Sequence, residues 1–350
     1  MSKPSGRAED SVMPSQMQTE VHQIPAAVER QLHEIGPRYR EIGQRLNRQD
    51  FTMAISNARG TSDHAATYLK YLLETRRGTP VASVGPSVAS VYGSRLRLHG
   101  QLCVTISQSG ASRDLIMLQE AAANAGAATL AIVNDVTSPV AHQASLLAPM
   151  HAGPELAVAA TKTYVASLVA IASIVAALDE DAGLADAIER LPEALAGALA
   201  RDWSVAVDAL AKAESVFTIS RGPALTIAAE AALKLKETCR LHAEAYSAAE
   251  VRHGPIALAA PRFCALVFAT RDEGRASILE AASALRCGGA TVVVCDSAVG
   301  ADLPSVAAPH LLLDPICQAV SFYQCVSALA QVRGLDADRP AHLSKVTVTV

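Results

Sequence analysis

Short apolar runs alternate with stretches in which apolar residues recur every three or four positions. Leu102-Cys103-Val104-Thr105-Ile106 is a continuous apolar run of the kind a parallel strand buried on both faces requires. The following residues, 112–125, carry the helical period. Strand-like runs at 51–56, 81–84, 101–106, 128–133 and 146–150 are separated by helical patterns such as 62–74 and 112–125. This alternation predicts an α/β fold built on a parallel sheet. A mostly helical stretch follows over 156–212, and strand-like runs return at 215–220, 263–269, 290–295 and 310–313.

The two halves resemble each other. Met53-Ala54-Ile55-Ser56 leading to Gly60 parallels Val216-Phe217-Thr218-Ile219-Ser220 leading to Gly222, and the run at 102–107 parallels that at 264–269. The pattern predicts a duplicated, doubly wound unit. The expected division is a loose polar tail over 1–16, a first unit with its helical connection over 17–195, a second unit over 196–340 and a C-terminal tail over 341–350.

Composition narrows the class. Half the residues are apolar but only 4% are aromatic, so Ala, Val and Leu fill the core, which favours helices on a parallel sheet over a β-sandwich. The net charge of −4, without a basic block, excludes a nucleic-acid or anionic-membrane surface. The seven cysteines lie apart in the sequence, without a CxxC pair, and read as small buried hydrophobes in a reducing compartment. The apolar segment 165–178 is shorter than the roughly 20 residues a membrane helix needs, so it is expected as a buried helix. With no signal peptide visible, the expected location is cytoplasmic.

Candidate chemistry sits in two places. In the first half, Ser107-Gln108-Ser109-Gly110 ends a strand and enters a helix through Ala111-Ser112. A helix N-terminus offers unpaired N–H groups and a positive dipole end, and serines add hydroxyl donors, which together suit a single phosphate. No Gly-Lys-Ser/Thr follows, so this is not a triphosphate loop. Gly60-Thr61-Ser62 ends the first strand on the same edge. The second-half counterpart reads Ala269-Thr270-Arg271-Asp272-Glu273-Gly274, whose carboxylates would repel a phosphate. In the second half, Lys234 and Glu237 lie three apart on one helix, followed by His242-Ala243-Glu244-Ala245-Tyr246 and by Glu250 to Pro255 with His253. A carboxylate and a histidine suit proton transfer on a sugar without a metal, whereas solvated helix charges would give the same spacing. Glu74, Arg76 and Arg77 read as solvated charges at a helix end. Lys345 is either a surface charge or an amine able to form an imine.

Taken in order, these pieces, with Glu155 to Lys162 and Asp336-Ala337-Asp338-Arg339-Pro340, resemble the sugar isomerase (SIS) domain family, and in it the isomerase half of glucosamine-6-phosphate synthase. The resemblance implies two tandem SIS subdomains, a homodimer, a hexosamine 6-phosphate substrate and no cofactor or metal. It places the phosphate on Ser62, Ser107, Gln108, Ser109 and Ser112, with Gly60 and Thr61 beside them, and the sugar against Val158. It makes Glu237 the base between C1 and C2, His253 the ring opener reaching in from a second subunit, Lys345 the imine-forming amine and Lys234 a supporting lysine.

The chain departs from that pattern at Ala111, where a glutamate is usual, and at Ala58-Arg59 before Gly60. The glutaminase part of the synthase is also missing, so ammonia from glutamine is not expected. The expected activity is that of an SIS-type glucosamine-6-phosphate deaminase. Related activities (a fructosamine 6-phosphate deglycase, a galactosamine 6-phosphate deaminase, a plain aldose–ketose isomerase) share these residues, and a non-catalytic sugar-phosphate sensor is the reading from another class.

Overall fold

The computed structural model describes residues 14–345. In the first half, β1 (Ala54–Asn57), β2 (Val81–Ser83), β3 (Leu102–Ser107), β4 (Ala128–Val133) and β5 (Leu146–Pro149) form an all-parallel sheet in the order β2-β1-β3-β4-β5. In the second half, β6 (Ser215–Ser220), β7 (His242–Ser247), β8 (Phe263–Phe268), β9 (Thr291–Asp296) and β10 (Leu303–Pro304) repeat that order strand for strand, as β7-β6-β8-β9-β10. The duplication read from the sequence is therefore present in the topology. In both sheets the central strand, β3 or β8, is buried along its whole length, as its unbroken apolar run requires.

Two strand expectations need correction. Residues 310–313 form no strand: Leu311–Leu313 is a 3₁₀ turn, and the sheet edge is the two-residue β10. Conversely, His242–Ser247, read for its ionisable groups, is the edge strand β7, with His242 and Glu244 exposed on its outer face and Ala243 buried between them. An edge strand needs only one covered face, so polar residues alternate along it.

The apolar segment becomes the helix Lys162–Leu178, buried almost all round. It packs on the long helix Ile24–Asn47 and on Thr61–Arg77 at the centre of a core that runs through both halves. Each fully buried Val, Leu or Ile there contributes about 1.5–3 kcal/mol relative to exposure. Among the described residues no helix is long and apolar enough to cross a membrane. Six cysteines are buried as expected; Cys287 is exposed, at the end of the helix Arg275–Cys287. The charges at the end of Thr61–Arg77 are not simply solvated. Arg76 donates to Asp179 (2.5 Å) and Asp181 (2.8 Å), Arg77 to Asp179 (3.3 Å), and Glu74 pairs with Lys70. They tie this helix to the segment after Lys162–Leu178.

Candidate active site

β1 and β3 are neighbours, so the loops that leave them meet at the carboxyl edge of the first sheet. Gly60 turns the chain with φ +53° and precedes the helix Thr61–Arg77 without a side-chain cap. After β3, Gly110 (φ +58°) approaches Ser138 so closely that a Cβ would lie 2.1 Å from its Oγ. Ser107 Oγ accepts from Gly110 N (3.0 Å) and Ser109 Oγ from Ala111 N (3.4 Å), which folds the loop on itself. Ser112 then takes the N-cap position of the helix Arg113–Asn124, but its hydroxyl makes no capping bond. Two helix N-termini, neither capped by its own N-cap side chain, thus border one cavity of about 360 Å³. Ser62 N and Asp63 N already bond Arg59 O and Gly60 O, so an anion here would rest on the positive ends of the two helices, their remaining N–H groups and the serine hydroxyls.

Gly60, Thr61, Ser62, Ser107, Gln108, Ser109 and Ser112 line this cavity, and so do Val158, Lys234, Glu237 and Lys345. Thr61 differs in detail from expectation. Its hydroxyl accepts from Lys234 Nζ (2.9 Å) and donates to Glu230 Oε1 (3.3 Å), so it serves the second-half charges. Val158 N donates to Asp338 O (3.3 Å), which docks the C-terminal segment beside the cavity. His253 is the residue the fold does not bring in. It lies exposed in a turn between the 3₁₀ segments Glu250–Arg252 and Pro255–Leu258, outside the cavity lining.

The helix Leu225–Cys239 presents Glu230, Lys234 and Glu237 on one face, at i, i+4 and i+7. Lys234, 1% exposed, lies 2.6 Å from Glu237 Oε2 and 3.2 Å from Glu230 Oε1. Burial pulls the Lys234 amine down, but the two carboxylates outweigh it and hold it above the ordinary lysine value. Glu230 also accepts from Tyr323 (3.0 Å) and pairs with His64 Nδ1 (2.8 Å). Burial pushes its carboxyl up, and Lys234 and His64 override this to keep it below the usual range. A solvated face of Glu–Lys pairs is thereby excluded for Lys234: the lysine is buried between two carboxylates, of which Glu237 faces the cavity.

Lys345 donates to Glu155 Oε2 (2.9 Å) and Ala157 O (2.8 Å). Glu155 is fully buried and also accepts from Thr161 N and Thr163 N, both at 3.0 Å. Burial raises its carboxyl, but Lys345 and these N–H groups bring it below the ordinary value. Glu230, His64 and Tyr323 were not singled out from the sequence. A glutamate at i−4 from Lys234, in an otherwise apolar helical face, was the available signal.

In the second half, Asp272 Oδ1 accepts from Gly274 N (2.9 Å) and Thr270 Oγ1 (2.7 Å). The chain's own carboxylate uses the donors of the corresponding loop.

The SIS domain family matches residues 54–177 and 209–301. The glutamine–fructose-6-phosphate aminotransferase (isomerizing) of Zymomonas mobilis is 32% identical over 83% of this chain and 51% of its own length. The chain thus spans about half the length of that relative. A solved structure from Silicibacter pomeroyi, provisionally named a phosphosugar isomerase, superposes with a TM-score of 0.88 at 43% identity, covering 93% of this chain and all of that one. A glucosamine-6-phosphate deaminase from Thermotoga maritima superposes with a TM-score of 0.75 over 96% of this chain and all of that one. At 18% identity it shows the shared fold alone.

Proposed function

This chain belongs to the SIS domain family, and within it we propose a glucosamine-6-phosphate deaminase that turns glucosamine 6-phosphate and water into fructose 6-phosphate and ammonia. The observation that carries the reading is the placement of the Glu237–Lys234 pair on the wall of the cavity that also holds the Ser107–Ser112 loop. An anion site at one part of the cavity and a held carboxylate at another suit a small molecule with phosphate at C6 and reaction at C1 and C2.

The sugar binds with its phosphate on Ser62, Ser107, Gln108, Ser109 and Ser112. In the open-chain form Glu237 removes the C2 proton and returns it to C1, while a proton passes from the C2 amine nitrogen to O1, so the aldehyde becomes an alcohol as the amine becomes an imine. Oε2 is held by Lys234, so the transfer runs through Oε1. The product is a C2 ketimine, which water hydrolyses to the ketose with release of ammonia. Lys345 would have to leave both Glu155 and Ala157 to attack a carbonyl. Direct hydrolysis therefore breaks fewer contacts than an imine on Lys345, and Lys345 closes the cavity beside the sugar instead. Ring opening falls to His253. Since that residue is exposed outside the cavity of its own chain, a second copy in a homodimer has to deliver it.

Purified protein releases ammonia from glucosamine 6-phosphate under this reading, and Glu237→Gln binds the sugar phosphate but does not turn it over. Galactosamine 6-phosphate and a fructosamine 6-phosphate run in parallel identify the epimer and linkage accepted. Full turnover by Glu237→Gln removes Glu237 from the base role, and an active monomer in gel filtration removes the shared site.

A further inference from the structure

We propose that Arg59 is a phosphate ligand of this site, a guanidinium bridge between the buried Asp114 and the phosphate of the bound sugar. The proposal rests on reading the cavity as a sugar-phosphate site, and deepens it by assigning a residue that reads the phosphate rather than the sugar. Charge is the first argument. Among the described residues, four charged ones line the cavity: Arg59, Lys234, Glu237 and Lys345. Lys234 is committed to Glu230 and Glu237, and Lys345 to Glu155. The serine loop brings only neutral donors. The two helices that start here carry Asp63 and Asp114 in their first turns. Without Arg59, a phosphate dianion would have these two carboxylates close behind the helix starts and no cation among the described lining residues set aside for it.

Geometry is the second argument. Arg59 Nε donates to Asp114 Oδ2 (3.1 Å) and Nη2 lies 3.0 Å from the same oxygen as an ion pair, while Asp114 Oδ1 accepts from Leu115 N (2.9 Å). Asp114 is 1% exposed and Arg59 49%, so a buried carboxylate anchors a guanidinium whose other side faces out. Nη1 makes no bond among the described residues, and its two N–H groups remain for an incoming oxygen. The planar fork serves two anions at once without moving, which a lysine ammonium does less well. Arg59 belongs to the pair Ala58-Arg59 at which the chain departs from the synthase pattern.

The alternative is that Arg59 does no more than neutralise Asp114. Titration calorimetry of the full chain with inorganic phosphate and with fructose 6-phosphate separates the two. Arg59→Ala weakens both ligands on the order of 10- to 100-fold, the loss of a charge-assisted hydrogen bond. Arg59→Lys restores part of that affinity. The single variant leaves the Asp114 carboxylate buried and unpaired; the double variant Arg59→Ala/Asp114→Asn removes that cost, so it keeps the test independent of folding, and it still binds phosphate weakly. A double variant that binds both ligands as the wild type does overturns the proposal and leaves the sugar-phosphate reading standing. A folded wild type that binds neither ligand overturns the reading of the cavity and the proposal together.

Discussion

Replacing Lys234 by methionine tests the charge cluster on which the proposed chemistry depends. The lysine is 1% exposed and sits 2.6 Å from Glu237 and 3.2 Å from Glu230, and Glu230 itself is wholly buried. Solvent screening is weak at such a position. Lys234→Met leaves Glu230 with His64, Tyr323 and Thr61 as partners and leaves two carboxylates about two helix turns apart without the cation between them. Breaking a buried pair by removing one partner costs about 3–5 kcal/mol. Urea unfolding at neutral pH measures this, followed by the single tryptophan, Trp203, which is 3% exposed and donates to Pro304 O (3.0 Å). Far-UV circular dichroism must give a coincident transition for the energy to be read from the midpoint. Glu230→Gln alone is destabilising by a similar amount, and the double variant Glu230→Gln/Lys234→Met recovers on the order of 2 kcal/mol of the summed loss. A Lys234→Met protein within about 0.5 kcal/mol of wild type, or strictly additive losses, would refute the reasoning.

Gly110→Ala puts a Cβ 2.1 Å from Ser138 Oγ at φ +58°, so it distorts the anion loop; calorimetry with fructose 6-phosphate should show at least a tenfold weaker Kd, roughly the effect of one lost hydrogen bond. Asp338 accepts from Gln16 N and Met17 N, both at 2.7 Å, and so caps the helix Gln16–His22 from the other end of the chain. Asp338→Ala should lower stability by about 0.5–2 kcal/mol and speed proteolytic clipping near residue 16, and unchanged clipping would count against the cap. Glu155 and Glu230 are held below the ordinary carboxylate range in the folded state, so their contribution is present above about pH 4.3 and is lost as pH falls through the folded values. The urea midpoint therefore drops on acidification below that pH, and Glu155→Gln flattens the drop; a parallel profile for the variant would contradict the assignment.

Much of the fold was legible because buried parallel strands leave unbroken apolar runs, as at β3 and β8. The repeat of β2-β1-β3-β4-β5 in the second half was visible in the matching of the 53–60 and 216–222 segments. What failed were the edges. β7 covers one face only, so its alternation of His242, Ala243 and Glu244 read as chemistry. β10 is two residues long and ends in Pro304, too short for any pattern, and the apolar run at 310–313 took its place. The anion loop was legible from serine, glycine and a following helix. Glu230, His64 and Asp114 were not, because what gives them a role is burial and a partner distant in the chain: Glu230 lies 166 positions from His64 and Asp114 55 positions from Arg59. Spacing along one helix showed Lys234 with Glu237 but not the wall they share with Ser107.

Incubating the purified chain with glucosamine 6-phosphate and measuring ammonia and fructose 6-phosphate together decides whether it is a deaminase. Both products should form in equal amounts, and neither from the Glu237→Gln variant. Binding of the sugar phosphate with no release of ammonia from the wild type would contradict the deaminase reading.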